Sequence, residues 1–479
     1  MNLFKRNISL QIFLILILFF SACNSNNNQE PKQKKIKVRD YSEIKQLKKL
    51  RVVTNLNSTD YFIYRGQPMG FQLELMQFFA KELNVDLEII AQNNLTRCFN
   101  MLENDSCDII AIGLTITKNR NEKFNFTVPY GLTNQVLVQR KPDNWPELSR
   151  KKIESKLIRN QLDLAKKTIY VQQNSAFVTR LKSLSQEIGD TIYIKQKNIE
   201  TEELIKKVAK KEINYTICDE YIGLVNKTYY PQLDVATKIS FPQKLAWAVN
   251  KQSDTLLNIL NNWLTDFKKT RKFKAIYNKY FKNPKSVNIF NSDYYLQETG
   301  QISPYDNYFK KYAKELHWDW KLIASLAYQE SHFNNNARSW AGAFGIMQLM
   351  PITAERFNVD TNSSPAENIR AGIKYLKYLD KQLSDEITDT TERKKFIIAS
   401  YNSGLGHVLD ARRLAEKFDK NPNIWINNVD FYMAKKSNSK FYLDPVVRYG
   451  YCRGSETVNY VTEIFSRYDH YKNIYANKN

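Results

Sequence analysis

Between Leu50 and about Tyr280 the chain alternates two periodicities, and after about Pro304 it keeps only one. In the first stretch short β-rich runs recur at Leu50–Thr54, Asp86–Ile90, Asp108–Ile112, Thr168–Val171, Thr191–Ile194 and Asn214–Ile217. Helical segments such as Phe71–Leu83, amphipathic along its length, lie between them. Alternation of this kind lays helices on a sheet, so it predicts an α/β fold with parallel strands. Helical spacing alone governs the rest, which predicts an all-α region. The stretch 283–301 is polar, carries Pro284, Asn288 and Gly300, and reads as the linker. The expected regions are therefore 45–282 and 302–479.

The N-terminus reads differently. Lys5 and Arg6 precede an apolar run, Ile12–Phe20, that is shorter than the roughly 20 residues a spanning helix needs. This is the pattern of an export signal. Ser21 and Ala22 stand directly before Cys23, and the group resembles the lipobox of bacterial lipoproteins. That resemblance implies removal of 1–22, acyl chains on Cys23, a polar tether over 23–44, and anchoring to a membrane without a spanning helix. An ordinary secretory peptide with an incidental Cys is the alternative. Asn24 resembles an outer-membrane sorting signal, so the expected place is the periplasmic face of the cell outer membrane.

The formal net charge is +22, yet the Lys residues are dispersed along helices and no nucleic-acid motif accompanies them. With an export signal, nucleic acid is excluded as a partner, and an anionic membrane surface or an acidic wall polymer is expected. A Lys-rich proteome bias explains the charge equally well. Cys98 and Cys107 are close enough in sequence to pair; packing as separate small apolar groups is the other reading, for a core this large needs no staples. The four His residues are scattered, no metal-ligand spacing occurs, and the expected chemistry uses no metal or cofactor.

Three motifs mark the first region: Gly70-Phe71-Gln72-Leu73-Glu74, Gly113-Leu114-Thr115-Ile116-Thr117 with Arg120, and Phe126-Thr127-Val128-Pro129-Tyr130. A strand ending in Gly-Leu-Thr puts hydroxyls and free N–H groups at its carboxyl end, where open α/β sheets bind ligands. Arg120 there can clamp a carboxylate bidentately, although simple capping plus a surface charge is the plainer reading. In this order the motifs resemble the solute-binding proteins of polar amino-acid transport, over roughly 45–282. The resemblance implies a periplasmic-binding-protein-like domain of two α/β lobes, joined by crossing strands and closing on a ligand. By position, Arg120 and Thr115 would hold an α-carboxylate, Ser175 would add a contact from the second lobe, and Asp219 would take an α-amino group. Where the family often has Gly followed by Ser or Thr, this chain has Asn174-Ser175.

The second region turns on Glu330. Ile323, Leu326, Ala327 and Glu330 share one helical face that is otherwise apolar. Desolvation there raises a carboxyl's pKa toward the range useful for proton transfer; a buried Glu satisfied by a neighbour is the bland reading. After Glu330-Ser331 come Gly342-Ala-Phe-Gly345-Ile-Met347-Gln348, Asn368-Ile-Arg-Ala-Gly372, Tyr401-Asn402-Ser-Gly404 and Glu456-Thr457-Val-Asn-Tyr460. The glycines let backbone approach a ligand, Gln348 offers an amide donor and acceptor, and Pro351 suits a helix start. Singly, each has a structural reading: a turn, a helix end capped by Gly404, a core tyrosine.

Together these motifs resemble the lytic transglycosylase domain, with its all-α lysozyme-like fold, over about 300–470. With the front region and the lipobox, the chain is similar to membrane-bound lytic murein transglycosylases. The resemblance implies cleavage of the β-1,4 bond between N-acetylmuramic acid and N-acetylglucosamine in peptidoglycan glycan strands, giving 1,6-anhydromuramoyl products. It makes Glu330 the catalytic acid/base, with Ser331, Gly345, Met347, Gln348, Tyr401, Asn402 and Tyr460 along the glycan cleft. Tyr401, Tyr460 and Trp340 are candidates for stacking on sugars, with core packing as the alternative. An ordinary glycosidase needs two carboxylates, whereas the nearest acids after the Gly342–Gln348 loop are Glu355 and Asp360, beyond Pro351. A hydrolase of the same bond and a non-catalytic wall-binding lipoprotein are the competing expectations. A front-domain ligand, an amino acid or muropeptide, would regulate the enzyme.

Overall fold

The computed structural model describes residues 38–282 and 295–476. Cys23, the expected signal and most of the expected tether and linker lie outside the described residues.

The first region forms two sheets. In one, β1 (Lys49–Thr54) lies between β4 (Asp86–Ala91) and β5 (Ile109–Thr115), both parallel to it. Strand β13 (Gln243–Asn250) joins the other side of β5 antiparallel and also pairs with β6 (Phe124–Phe126) and β7 (Gly131–Thr133). The second sheet runs β10 (Tyr193–Lys197), β9 (Thr168–Gln172), β11 (Thr216–Asp219), β8 (Gln135–Arg140) and β12 (Leu233–Lys238). The expectation of parallel strands holds for β1, β4, β5, β9, β10 and β11, whereas β6, β7, β8, β12 and β13 enter antiparallel pairs. The chain crosses from one sheet to the other at β7–β8 and returns at β12–β13. A strand arriving from the opposite sheet needs no helical crossover, so it can enter antiparallel. Strand β5 is an apolar run buried along nearly its whole length, as a central strand covered on both faces must be.

Helix α1 (Phe71–Leu83) buries Leu75, Met76, Phe79 and Leu83 on the first sheet and stops at Asn84, which takes the left-handed conformation. Helices α2 (Ala176–Ile188) and α3 (Thr201–Ala209) cover the second sheet. All four described cysteines are free. Cys98 and Cys107 share an apolar cluster with Leu95 and Leu102, and burial pushes the Cys98 thiol up to about 12.

The described residues of the second region are mainly helical, with α4 (Asp306–Ala313), α5 (Trp320–Ser331), α6 (Pro351–Arg356), α7 (Pro365–Leu383), α8 (Thr390–Ser403), α9 (Leu405–Lys417), α10 (Asp430–Lys435) and α11 (Gly454–Ala476). Pro365 begins α7 inside a capping box in which Ser364 and Glu367 bond each other's backbone N–H. Helix α5 lies against α4 and α11, and Leu322 through Tyr328 are all buried.

One hydrophobic core runs from the first sheet into this bundle, and the described residues from Arg39 onward form one compact unit. Part of the link is the packing of α11 on β4, where Asn473 Nδ2 donates to the Ile89 carbonyl, and part is a hairpin, β2 (Phe62–Tyr64) and β3 (Gln67–Met69). Its two-residue turn, Arg65-Gly66, has positive φ at both positions, as a primed hairpin turn requires. At its tip the Gly66 carbonyl accepts from Tyr471 Oη at 2.7 Å, and Gln67 Oε1 accepts from Tyr328 Oη at 2.6 Å. Tyr61 Oη meets His470 Nδ1 at 2.8 Å. A Cβ on Gly66 would stand 2.7 Å from Phe333, 2.8 Å from Tyr328 and 2.9 Å from Tyr471. Gly66→Ala is therefore expected to cost about 1–3 kcal/mol through backbone strain and overpacking. A lowered urea midpoint is the expected result, and an unchanged midpoint contradicts this account of the contact.

Candidate active site

Glu330 is the next-to-last residue of α5, which ends at His332 in the left-handed conformation. Burial pushes its carboxyl up from 4.5 to about 7. Tyr460, buried on α11, donates its hydroxyl to Glu330 Oε1 and pulls the other way without cancelling the effect.

The loop between α5 and α6 is tied to the end of α5, to α7 and to α8. Ser331 is buried and donates its hydroxyl to the Ile346 carbonyl at 2.8 Å, so it ties the helix to the loop rather than opening onto the cleft. Gly345 has φ +80, and a Cβ there would lie 2.3 Å from the Asn368 amide. Asn368, buried on α7, accepts from Met347 N–H at 2.9 Å and donates to the Phe344 carbonyl at 3.3 Å. The Met347 side chain packs on Gly372, where a Cβ would come within 2.8 Å of it. Gln348, at φ 45, donates Nε2 to the Ala337 and Gly345 carbonyls, so its amide nitrogen is a brace within the loop.

Tyr401 and Asn402 occupy the last turn of α8, which Gly404 ends with φ 89. Tyr401 donates to the Met347 carbonyl at 2.7 Å, and its ring meets Tyr375 at 5.2 Å. Asn402 accepts from Thr457 Oγ1 at 2.8 Å, joining α8 to α11. Trp340 is fully exposed, which removes core packing as its role. Glu355 and Asp360 are exposed, one on α6 and one after it, and Asp360 caps its own turn through Asn362 N–H. The structure thus brings Glu330, Tyr460, Tyr401 and the 342–348 loop together. It adds Asn368 and Gly372, whose motif is visible in the sequence but whose close approach to the loop is not.

The first region holds a second candidate site. A cavity of about 50 Å³ lies between the sheets and is lined by Thr115, Arg120, Ser175 and Asp219 among others. Arg120 donates to the Thr115 carbonyl from its own lobe and to the Asn174 carbonyl from the other, both at 2.9 Å. Burial lowers its pKa to about 10, with Asp219 opposing. Burial raises Asp219 to about 7, with Asp60 adding to the shift and Arg120 opposing it. Asn174 has φ 59, a conformation that Asn tolerates nearly as Gly does, so its departure from the family pattern leaves the turn before Ser175 intact.

Residues 50–283 match the family of bacterial extracellular solute-binding proteins, family 3, and residues 307–424 match the transglycosylase SLT domain. A membrane-bound lytic murein transglycosylase F from Desulfosudis oleivorans is 34% identical over 428 residues, covering 89% of this chain and 90% of its own length. One from Photobacterium profundum is 32% identical over 429 residues, 89% of this chain and 80% of its own. Among solved structures, the P235GK mutant of ArgBP from T. maritima aligns with TM-score 0.42 at 22% identity, covering 51% of this chain and 99% of its own. With both family matches in chain order and a relative at 34% identity along nearly the whole length of both proteins, the chain belongs to the membrane-bound lytic murein transglycosylase F family.

Proposed function

We propose that this protein is a peptidoglycan lytic transglycosylase with Glu330 as its single acid/base. The observation that carries the reading is a lone carboxyl, raised to about 7, whose hydrogen-bond partner is the neutral Tyr460. Near neutrality such a group is protonated about half the time, so it can both give and take a proton. In the first step Glu330 protonates the oxygen of the β-1,4 bond between N-acetylmuramic acid and N-acetylglucosamine, and the leaving sugar departs. The muramoyl N-acetyl oxygen stabilises the anomeric carbon. In the second step Glu330 takes the proton of the same sugar's 6-hydroxyl as that oxygen attacks the anomeric carbon. The proton count closes, no water enters, and the product is the 1,6-anhydro sugar. Tyr460 holds one carboxylate oxygen and leaves the other toward the sugar. The loop of Gly345, Met347 and Gln348, braced by Ser331 and Tyr401, and the exposed Asn402 form the proposed glycan cleft, with Trp340 offering a stacking face outside it.

The relatives' description as membrane-bound fits a lipid anchor on Cys23 after removal of 1–22, with 23–44 as tether, at the periplasmic face of the outer membrane. Among the described residues no helix is long and apolar enough to cross a membrane. The proposed domains are 45–282 for ligand binding and 302–479 for catalysis, joined through 283–301. An amino acid or wall peptide held by Arg120, Thr115, Ser175 and Asp219 would regulate the enzyme if it binds one state of the protein better than another.

Digestion of purified peptidoglycan with mass analysis of the products tests the chemistry. Wild type is expected to release anhydromuropeptides, and Glu330→Gln is expected to fold and to release none. Products heavier by one water would mean a hydrolase, and normal turnover by Glu330→Gln would remove Glu330 from the mechanism. Stability gives a second test. Between 4.5 and about 7 the folded protein holds a proton on Glu330 that the unfolded chain has lost, so this group's contribution to stability falls as pH rises through that window and is flat above it. Glu330→Gln is expected to be more stable than wild type at pH 7.5, by about 1–3 kcal/mol. That gain should shrink as the pH is lowered toward 4.5, as read by unfolding midpoints across pH. A gain independent of pH contradicts the raised carboxyl.

A further inference from the structure

The cavity between the sheets holds more negative groups than an ordinary amino acid can answer. Asp60, Glu200 and Asp219 all line it, each at most 5% exposed, and Arg120 is the lining cation. An α-amino acid would bring one carboxylate for Arg120 and one ammonium for Asp219, a balanced exchange. Asp60 and Glu200 would stay unanswered.

These two carboxyls come from opposite lobes and meet at one amide. Asn57 Nδ2 donates to Asp60 Oδ2 at 3.1 Å and lies 3.5 Å from Glu200 Oε1. Glu200 Oε2 accepts from the Glu202 N–H at 2.5 Å. Asp60 Oδ1 and, beside it in the lining, Asn55 Oδ1 are buried without a hydrogen-bond partner among the described residues. Glu202 lies outside the lining, where it accepts from the Ser58 N–H and hydroxyl and from the Asn226 amide, and its charge adds to the rise at both Asp60 and Glu200. Buried oxygens left unpaired are costly, and neighbouring carboxyls under such conditions share a proton or attract a cation. Burial pushes Asp60 up to about 7 and Glu200 well above its usual range, which fits a pair that lacks its positive partner.

We propose that Asn55, Asn57, Asp60 and Glu200 form a second ammonium subsite, so that the cavity takes a diaminocarboxylic acid: one carboxylate and two ammonium groups. This rests on reading the cavity as an amino-acid site, and it names the class of ligand that site selects. The unpartnered Asp60 Oδ1 and Asn55 Oδ1 are the acceptors that the second ammonium answers, with Glu200 beside them across the Asn57 amide.

Calorimetry on the purified full chain with L-lysine, L-ornithine and L-norleucine tests it, because norleucine keeps the aliphatic stem and lacks the terminal ammonium. Lysine or ornithine is expected to bind roughly ten- to hundred-fold more tightly than norleucine, the range for a charge-assisted buried contact. Asp60→Asn and, separately, Glu200→Gln are expected to bring that ratio toward one while norleucine still binds. Glu200→Gln retains an oxygen for the Glu202 N–H, so it guards against a folding defect in the first variant. Equal binding of norleucine and lysine by wild type, or a ratio that survives both substitutions, overturns the second subsite and leaves the amino-acid site standing. If none of the three binds at millimolar concentration, the amino-acid reading itself falls and the subsite with it.

Discussion

Helix α5 is buried from Leu322 to Tyr328, and that enclosure organises the molecule around it. A buried helix must find protein partners for every polar group on its surface, because water cannot supply them. Ser325 donates to the Ile464 carbonyl on α11 at 2.7 Å, and Ser331 donates to the Ile346 carbonyl in the loop. Tyr328 reaches the hairpin at Gln67, and Glu330 meets Tyr460. Each bond satisfies a group that would otherwise be stranded. Each also fixes the position of another part of the structure: α11, the loop, the front region and the cleft. The same enclosure that demands these bonds holds the Glu330 carboxyl in its raised state.

The loop between α5 and α6 follows a related constraint. Its backbone carbonyls and N–H groups face inward, so side chains from α7 and α8 must meet them: Asn368 at Phe344 and Met347, and Tyr401 at Met347. Such contacts need close approach, and Gly345 and Gly372 are the two positions where a Cβ would occupy the space that Asn368 and Met347 fill. The glycines therefore serve the packing of the loop as much as any access by substrate. Gln348 bends the chain with a positive φ and secures the bend with its own amide.

Local pattern made part of this legible before any coordinates. Phe71–Leu83 has the expected bounds because its apolar spacing is regular and Gly70 and Asn84 stop it at both ends. Glu330 stood out because helical phase is a short-range property. The strands β8 and β13 escaped, since what defines them is the chain's passage between two sheets. Thr191–Ile194 slid to Tyr193–Lys197 because register there is set by pairing with β9 rather than by composition. Ser331 carries no local sign that its hydroxyl turns inward to Ile346. Asp60 and Glu200 are invisible as a pair, for nothing in either neighbourhood announces a partner on the other lobe that shares the amide of Asn57.

The two candidate sites handle buried carboxyls in opposite ways, and the contrast explains what each can do. At Glu330 the immediate hydrogen-bond partner is a phenol, and Tyr401 contributes another neutral hydroxyl nearby. A lone carboxyl among neutral groups changes charge at modest cost in either direction, which is the condition for a proton to move twice in one turnover. In the front cavity the carboxyls are charged neighbours: Asp60 acts on Glu200 and on Asp219, Glu202 acts on Asp60 and Glu200, and the Arg120 guanidinium acts on Asp219. A cluster of like charges gains most when an opposite charge arrives, so that surface is fitted to recognise a cation. Burial raises the pKa in both places; the number and sign of neighbouring charges separate a proton carrier from a binding site.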